Sequence, residues 1–403
     1  MAEYIYKAVD MNGKKIEGSV VADTKEGAID SLRKRNIFVV EIKEKGVLSR
    51  DVNVSFRKKL SIKELSMFCR QLSTMLMAGI PLITALSVIV EQFKGRAMGK
   101  VLEDIYKSVQ SGSMLSRALA EKGECFPEIL INMTEAGELS GSLDKTLERM
   151  ATHFEKELKL KQKIVNALIY PAIVLLVAFG VLVIMLVYVI PTFVGIFDEL
   201  GVDLPATTKF IIAASNFTRK NIIYIIIVII FAIIGYKVFR NSEKGSVIID
   251  SLKLKIPLIG KVLLGQATTR FARTLATMTS AGVSIIIALE TTRNVINNKF
   301  IEKKFEDIIL RVQRGEGLSF PIAESGIFPR IVEILIRTGE ESGTLDSMLE
   351  KTADYFESEV ENQVTRLTSV FEPLIIVLLA GMVGFLVSSI ILPLFKLYGS
   401  IQP

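Results

Sequence analysis

The 403-residue chain has one histidine, two cysteines and no tryptophan. With only His153, Cys69 and Cys125 to draw on, a zinc site, a disulfide framework or a cysteine–histidine nucleophile is hard to assemble. Both cysteines fall in stretches with helical periodicity and read as buried structural thiols. His153 lies among the charges of Thr152–Lys156 and reads as part of a solvated helix face. Nucleotide-cradling loops are missing too, since Gly260-Lys261 lacks both the upstream glycine and the following hydroxyl of such a loop. No GxGxxG, HExxH, GxSxG or CxxC occurs. The chain therefore reads as a non-enzyme with no catalytic residue, cofactor or metal, drawing any energy from a partner.

Charge is absent from three runs, Ile164–Ile190, Asn221–Tyr236 and Pro373–Phe395, although 23% of all residues are charged. Half of the residues are hydrophobic, and this segregation describes an integral membrane protein with large water-exposed parts. The net charge of +6 comes from lysines beside the apolar runs and suits anionic lipid headgroups. A nucleic-acid groove would need interleaved aromatics, so no nucleic-acid partner is expected. Met1–Asp10 is neither basic nor apolar, so no cleavable leader is expected and the first apolar run would direct its own insertion.

Residues 1–47 read as a small ββαβ module. Tyr4–Val9 alternates as a strand, Asn12-Gly13 suits a tight hairpin, and Ile16–Val21 returns. A helix capped by Asp23 or Thr24 runs to about Arg35, Asn36 suits the left-handed residue after it, and Ile37–Ile42 is a third strand. Residues 48–60 form a basic linker. Ser61-Ile-Lys-Glu64 is a capping box, after which Leu65, Phe68, Cys69, Leu72, Met75 and Leu76 share one helical face. Glycines at 79, 95, 112 and 123 and Pro127 punctuate further short amphipathic helices, giving a bundle over 61–163.

An internal duplication organises the rest. Phe68-x-Arg70-x-Leu72 recurs as Phe271-x-Arg273-x-Leu275 at an offset of 203, as do Gly79 at Gly282 and Gly112 at Gly315. At an offset of 202, Gly137-Glu138-Leu139-Ser140-Gly141-Ser142-Leu143-Asp144 matches Gly339-Glu340-Glu341-Ser342-Gly343-Thr344-Leu345-Asp346. Pro171 matches Pro373 and Pro191 matches Pro393 at the same spacing.

Each bundle should continue into a membrane helix without a breaker. A helix over Ser142–Ile190 would be about 73 Å long, less than half of it in hydrocarbon. Pro171 and Pro373 sit just inside their runs, where they would kink the helix rather than end it. The repeated Gly-Glu-x-Ser-Gly turn reads first as a helix–helix connection, with glycines ending one helix and Ser142 or Thr344 capping the next. It reads second as a knob for a cytoplasmic partner. Its candidate residues are Gly137, Glu138, Gly141, Gly339, Glu340, Glu341 and Gly343, with Pro171, Pro191, Glu372, Pro373 and Pro393 marking the membrane edges.

Basic residues cluster before the first run, over Lys145–Lys163, and after the second, over Lys237–Lys261, and are sparse in Pro191–Lys220. The N-terminus and both bundles are thus placed in the cytoplasm and the C-terminus outside. The expected organisation is transmembrane helices at 164–190, 221–239 and 371–395, with an external loop at 191–220. A cytoplasmic linker occupies 240–260, the second bundle 261–370 and an external tail 396–403.

The duplicated Phe-x-Arg-x-Leu bundle, the Gly-Glu-x-Ser-Gly-x-Leu turn, the membrane-edge prolines and Leu204-Pro205-Ala206-Thr207-Thr208 resemble the inner-membrane platform proteins of type II secretion and type IV pilus machines. The resemblance covers essentially the whole chain. It departs at Ser284, which stands opposite Pro81, and at Asn36, where many relatives have glycine. It implies an all-α membrane protein with two cytoplasmic bundles of about six helices each, three spans and the small N-terminal module. It further implies a homo-oligomer in the bacterial inner membrane that binds a hexameric cytoplasmic assembly ATPase and other inner-membrane assembly components. Such a protein couples that ATPase to extraction of pilin or pseudopilin subunits. The rival reading is a transporter or channel built on the repeat. The spans offer it few polar groups, namely Asn166, Asn221, Ser388, Ser389 and Glu372.

Overall fold

The structure, a computed structural model, describes residues 2–9, 15–22, 24–34, 37–44, 59–95, 97–185, 188 and 206–401. The Asn12-Gly13 turn, Asn36, most of the linker at 48–60, Pro191 and Leu204-Pro205 lie outside the described residues. The chain divides into two units, Met1–Lys58 and Lys59–Pro403.

In the first unit, strands β1 (Ala2–Val9), β2 (Lys15–Ala22) and β3 (Phe38–Glu44) form an antiparallel sheet in the order β2-β1-β3. Helix α1 (Lys25–Arg33) is capped by Thr24, whose hydroxyl accepts from the Gly27 amide at 3.1 Å. Alternation along β1 turns Tyr4 and Ala8 to the side where Ala28, Leu32 and Ile42 are buried.

The second unit is helical. Its first copy comprises α2 (Ile62–Met77), α3 (Leu82–Gln92), α4 (Ala97–Gln110), α5 (Leu115–Ala120), α6 (Glu128–Leu139) and α7 (Leu143–Ile184). Helix α8 (Ala206–Asn241) and the short α9 (Glu243–Lys255) follow. The second copy then repeats the order as α10 (Ile259–Thr279), α11 (Ile285–Val295), α12 (Lys299–Gln313), α13 (Ser319–Ser325), α14 (Arg330–Ser342) and α15 (Leu345–Ile401). Ser61 and Glu64 form a reciprocal capping box at α2, the Ser61 amide donating to the Glu64 carboxylate at 2.8 Å.

Two segments differ from a reading by hydropathy. Residues 206–220, expected as loop, are already helical in α8. The segment at 240–260 contains α9, capped by Ser242, and then a tight turn in which the Ile259 amide donates to the Pro257 carbonyl at 2.8 Å. Leu258, at the centre of that turn, is held at φ 67° and ψ −58°, a strained conformation for a branched residue.

Apolar cores fill both copies. Phe68, Leu72, Leu86, Leu102 and Met133 are buried in the first, and Phe271, Leu275, Leu289, Phe305 and Ile336 in the second. The core is continuous from one copy into the other. Helices α7 and α15 leave this body and continue into apolar sequence. Each is long and apolar enough to cross a membrane. At about 1.5 Å per residue, α7's 42 residues extend about 63 Å and α15's 57 residues about 86 Å.

Candidate functional site

The repeated turn is built by sterics first. A Cβ on Gly137 would lie 2.1 Å from Thr146 Oγ1 and 3.0 Å from the Leu143 Cα. One on Gly339 would lie 2.9 Å from the Leu345 Cα. Glycine at these two positions therefore lets α6 meet α7, and α14 meet α15, backbone to backbone. Gly141 and Gly343 have φ of 67° and 68°, and the chain closes with Ser142 and Thr344 amides donating to the Gly137 and Gly339 carbonyls at 2.8 and 2.9 Å. Ser142 makes no capping hydrogen bond. Its hydroxyl pairs with that of Ser140 at 2.7 Å, and Thr344 pairs with Ser342 at 2.6 Å, so the side-chain cap expected at these positions is replaced by a hydroxyl pair.

Glu138 turns inward. Its carboxylate accepts from the Leu115 and Ser116 amides at 2.5 and 3.0 Å and from the Ser116 hydroxyl at 2.5 Å. Glu340 does the same for the Leu318 and Ser319 amides. Each acid satisfies the orphan donors of a short helix that has no cap of its own. The outward positions of the turns are Leu139, 74% exposed, and Glu341, also exposed and without a partner among the described residues.

The arginines of the repeated Phe-x-Arg-x-Leu motif tie the first helix of each copy to its long helix. Arg70 Nε and Nη2 donate to the two Glu155 oxygens, both at 2.8 Å. That fork holds the Glu155 carboxyl below its ordinary range. Arg273 pairs with Asp354 at 2.8 Å and with Glu357. Sequence reasoning did not assign these clamps. The signal was the joint repetition of Phe154-Glu155 as Phe356-Glu357 with the arginines.

The copies are also locked to each other. Asn132 Nδ2 donates to Thr291 Oγ1 at 2.9 Å, Asn294 Nδ2 to Glu128 at 2.7 Å and Arg149 to Ser280 Oγ at 3.0 Å. Along the long helices Lys156 meets Asp354 at 3.1 Å, and Lys163 meets Glu361. Leu160, Val262, Val360 and Val364 then bury one another where α7, α10 and α15 converge below the apolar runs. Burying one such side chain stabilises by about 1.5–3 kcal/mol.

His153 corrects the expectation of a solvated face. It is 6% exposed, beside α10 of the second copy, and its Nδ1 has no hydrogen-bond partner. Burial, then the Arg273 and Arg270 guanidiniums, push its pKa down to about 3. Cys69 and Cys125 are both free and buried, and burial pushes the Cys69 thiol up.

Along the apolar runs, Pro171 lies buried inside α7, and α15 runs through Pro373 and on past Pro393. Neither proline ends its helix. Glu372 is exposed and makes no ion pair among the described residues.

These features define a class, an internally duplicated helical protein with two helices of membrane-spanning length that leave a fused helical body. The chain belongs to the type II secretion system protein F family, whose model matches residues 68–191 and again 271–393. The model of that family's N-terminal domain matches residues 1–43. The type IV pilus assembly protein PilC of Thermus thermophilus is 37% identical over 405 residues, covering 100% of both chains. PilC of Pseudomonas aeruginosa is 34% identical, over 91% of this chain and 97% of its own. The type II secretion system protein F of Vibrio cholerae is 30% identical, over 98% of each.

Proposed function

We propose that the protein is the inner-membrane platform of a type IV pilus or type II secretion machine, coupling a cytoplasmic assembly ATPase to extraction of pilin or pseudopilin subunits. The observation that supports this most is the unbroken passage of α7 and α15 from one fused body into apolar sequence. A load applied to that body reaches the lipid phase through two shafts braced together, not through a hinge. The bundles face the cytoplasm, α8 supplies a third span, and the C-terminus is external, in line with the basic residues at 145–163 and 237–261. The protein works as a homo-oligomer beside other inner-membrane components, with anionic lipids at its basic collar. Glu341 and Leu139, the outward residues of the turns, together with Gly137, Gly141, Gly339 and Gly343 that shape them, form the surface offered to the hexameric ATPase. Glu138 and Glu340 hold that surface rigid from within. Pro171, Glu372, Pro373, Pro191 and Pro393 set where the shafts enter and leave the membrane.

The test is a flexible Gly-Ser insertion after Lys163, compared with a rigid insertion of one helical heptad. The flexible insert should abolish piliation or secretion in cells while the protein still accumulates in the membrane and the ATPase keeps its isolated activity. The heptad should retain partial function. Normal assembly with the flexible insert would remove rigid coupling as the mechanism.

A further inference from the structure

A polar cavity of about 330 Å³ lies between α7 and α15 at the start of their apolar runs. It is lined by Asn166, Ala167 and Tyr170 on α7 and by Thr368, Ser369 and Glu372 on α15. These are duplicates of one another at the offset of 202, so the two copies place matching positions around one space. Acceptors outnumber donors on its wall, where the Asn166 amide and the Tyr170 hydroxyl are the side chains with protons to give. Pro171 has no amide, which leaves the Ala167 carbonyl without its helical donor, and Pro373 does the same to the Ser369 carbonyl. The Thr368 and Ser369 hydroxyls spend their protons on the Thr365 carbonyl at 2.8 and 3.0 Å, leaving lone pairs free. Glu372 adds an unpaired carboxylate, and no lysine, arginine or histidine lines the cavity.

Such a site, rich in acceptors and beside hydrocarbon, calls for a cation with several hydrogen-bond donors. A bare metal ion would need ligands closed around it at about 2.0–2.6 Å, and an open space of this size does not provide them. A primary ammonium, with three donors on a short stem, matches. The depth selects its carrier. Lys163 is the last charge on α7 before the apolar run, and Arg366, exposed and without an ion pair among the described residues, lies three residues before Ser369 on α15. The cavity thus sits just past the last cation on each helix before its apolar run, at the depth where lipid headgroups meet hydrocarbon.

We propose that this cavity binds the ammonium of an aminophospholipid headgroup, with Glu372 as the charged acceptor and the proline-freed Ala167 and Ser369 carbonyls beside it. The inference rests on the reading of α7 and α15 as membrane spans.

The test uses the full chain in lipid nanodiscs with an acyl-labelled phosphatidylethanolamine probe and unlabelled competitors. Phosphatidylethanolamine should compete at least about tenfold better than phosphatidylcholine, which cannot donate, or phosphatidylglycerol, which has no cation. Glu372→Gln should remove that preference, and Glu350→Gln, far from the cavity in sequence, should keep it. Equal competition by all three lipids in the unmodified protein, or an undiminished preference in Glu372→Gln, would overturn the proposal. So would displacement of the probe by an apolar peptide with a free N-terminus but not by phosphatidylethanolamine, an outcome that would hand the cavity to a polypeptide amine. A chain that never enters the nanodisc would instead refute the spans themselves.

Discussion

The two copies share their helix order, their turns and their arginine clamps, yet the matching faces of α7 and α15 meet opposite fates. His153 is 6% exposed, while Tyr355, its duplicate, is 55% exposed. Over Lys145–Lys163 the first long helix carries the cations Lys145, Arg149, Lys156, Lys159, Lys161 and Lys163 against three acids, Glu148, Glu155 and Glu157. The corresponding stretch of the second carries Glu350, Asp354, Glu357, Glu359 and Glu361 and one cation, Lys351. Where the copies touch, the basic helix meets the acidic one, at Lys156–Asp354 and Lys163–Glu361. Duplication kept what builds each bundle and divergence rewrote what joins them. Two copies of the basic helix would repel along the line where α7 and α15 now pair, so the charge pattern favours the pairing within one chain.

The comparison can be broken hardest in the cores. Phe271 stacks on Phe328 at 4.7 Å and packs edge-on to Phe305 at 5.7 Å, whereas among the described residues Phe68 has one ring neighbour, Phe126, at 6.2 Å. Both are fully buried. Phe271→Ala should cost about 3–5 kcal/mol and Phe68→Ala less, measured by thermal unfolding in detergent followed by circular dichroism. Equal losses would mean that the extra aromatic contacts of the second copy contribute nothing.

The turns should behave alike in both copies. Glu138→Ala and Glu340→Ala each strand two part-buried amides, for a loss of about 1–3 kcal/mol. Glu341→Ala should leave stability unchanged and weaken ATPase capture by the purified protein. A stability loss at Glu341, or none at Glu138, would reverse the division between inward and outward acids.

The third contrast is a pH effect confined to the first copy. His153 has a folded pKa of about 3, below its unfolded value of about 6.5, so the unfolded chain binds the proton first. Its contribution is complete above pH 6.5 and is lost as pH falls toward 3. The expected slope is about 1.4 kcal/mol per pH unit, or roughly 1.4 kcal/mol lost at pH 5.5. His153→Gln should flatten the profile between pH 6.5 and 5, above the range where the lowered carboxylates titrate. Tyr355→Gln should leave it unchanged.

Much of the architecture was readable from local pattern. The Ser61–Glu64 capping box, the positive-φ glycines at 141 and 343 and the apolar runs each depend on residues a few positions apart, and each was visible in the spacing. The inward turn of Glu138 was not, because its partners, Leu115 and Ser116, lie more than twenty residues away and nothing in the turn itself points to them. The same holds for Arg70 with Glu155. His153 was misread for a related reason. Its neighbours in sequence are charged, but its neighbours in space belong to α10.

By itself, then, the sequence determined the duplication, the order of helices in each copy and which stretches are apolar enough for a membrane. These follow from backbone hydrogen bonding and side-chain periodicity, which act over one or two helical turns. Only the tertiary structure decided which faces of the two copies meet, which acids turn inward, and that Asn166, Ala167 and Tyr170 line one cavity with their duplicates Thr368, Ser369 and Glu372. Contacts between distant segments are selected by the fit of whole surfaces, and no local pattern encodes that fit.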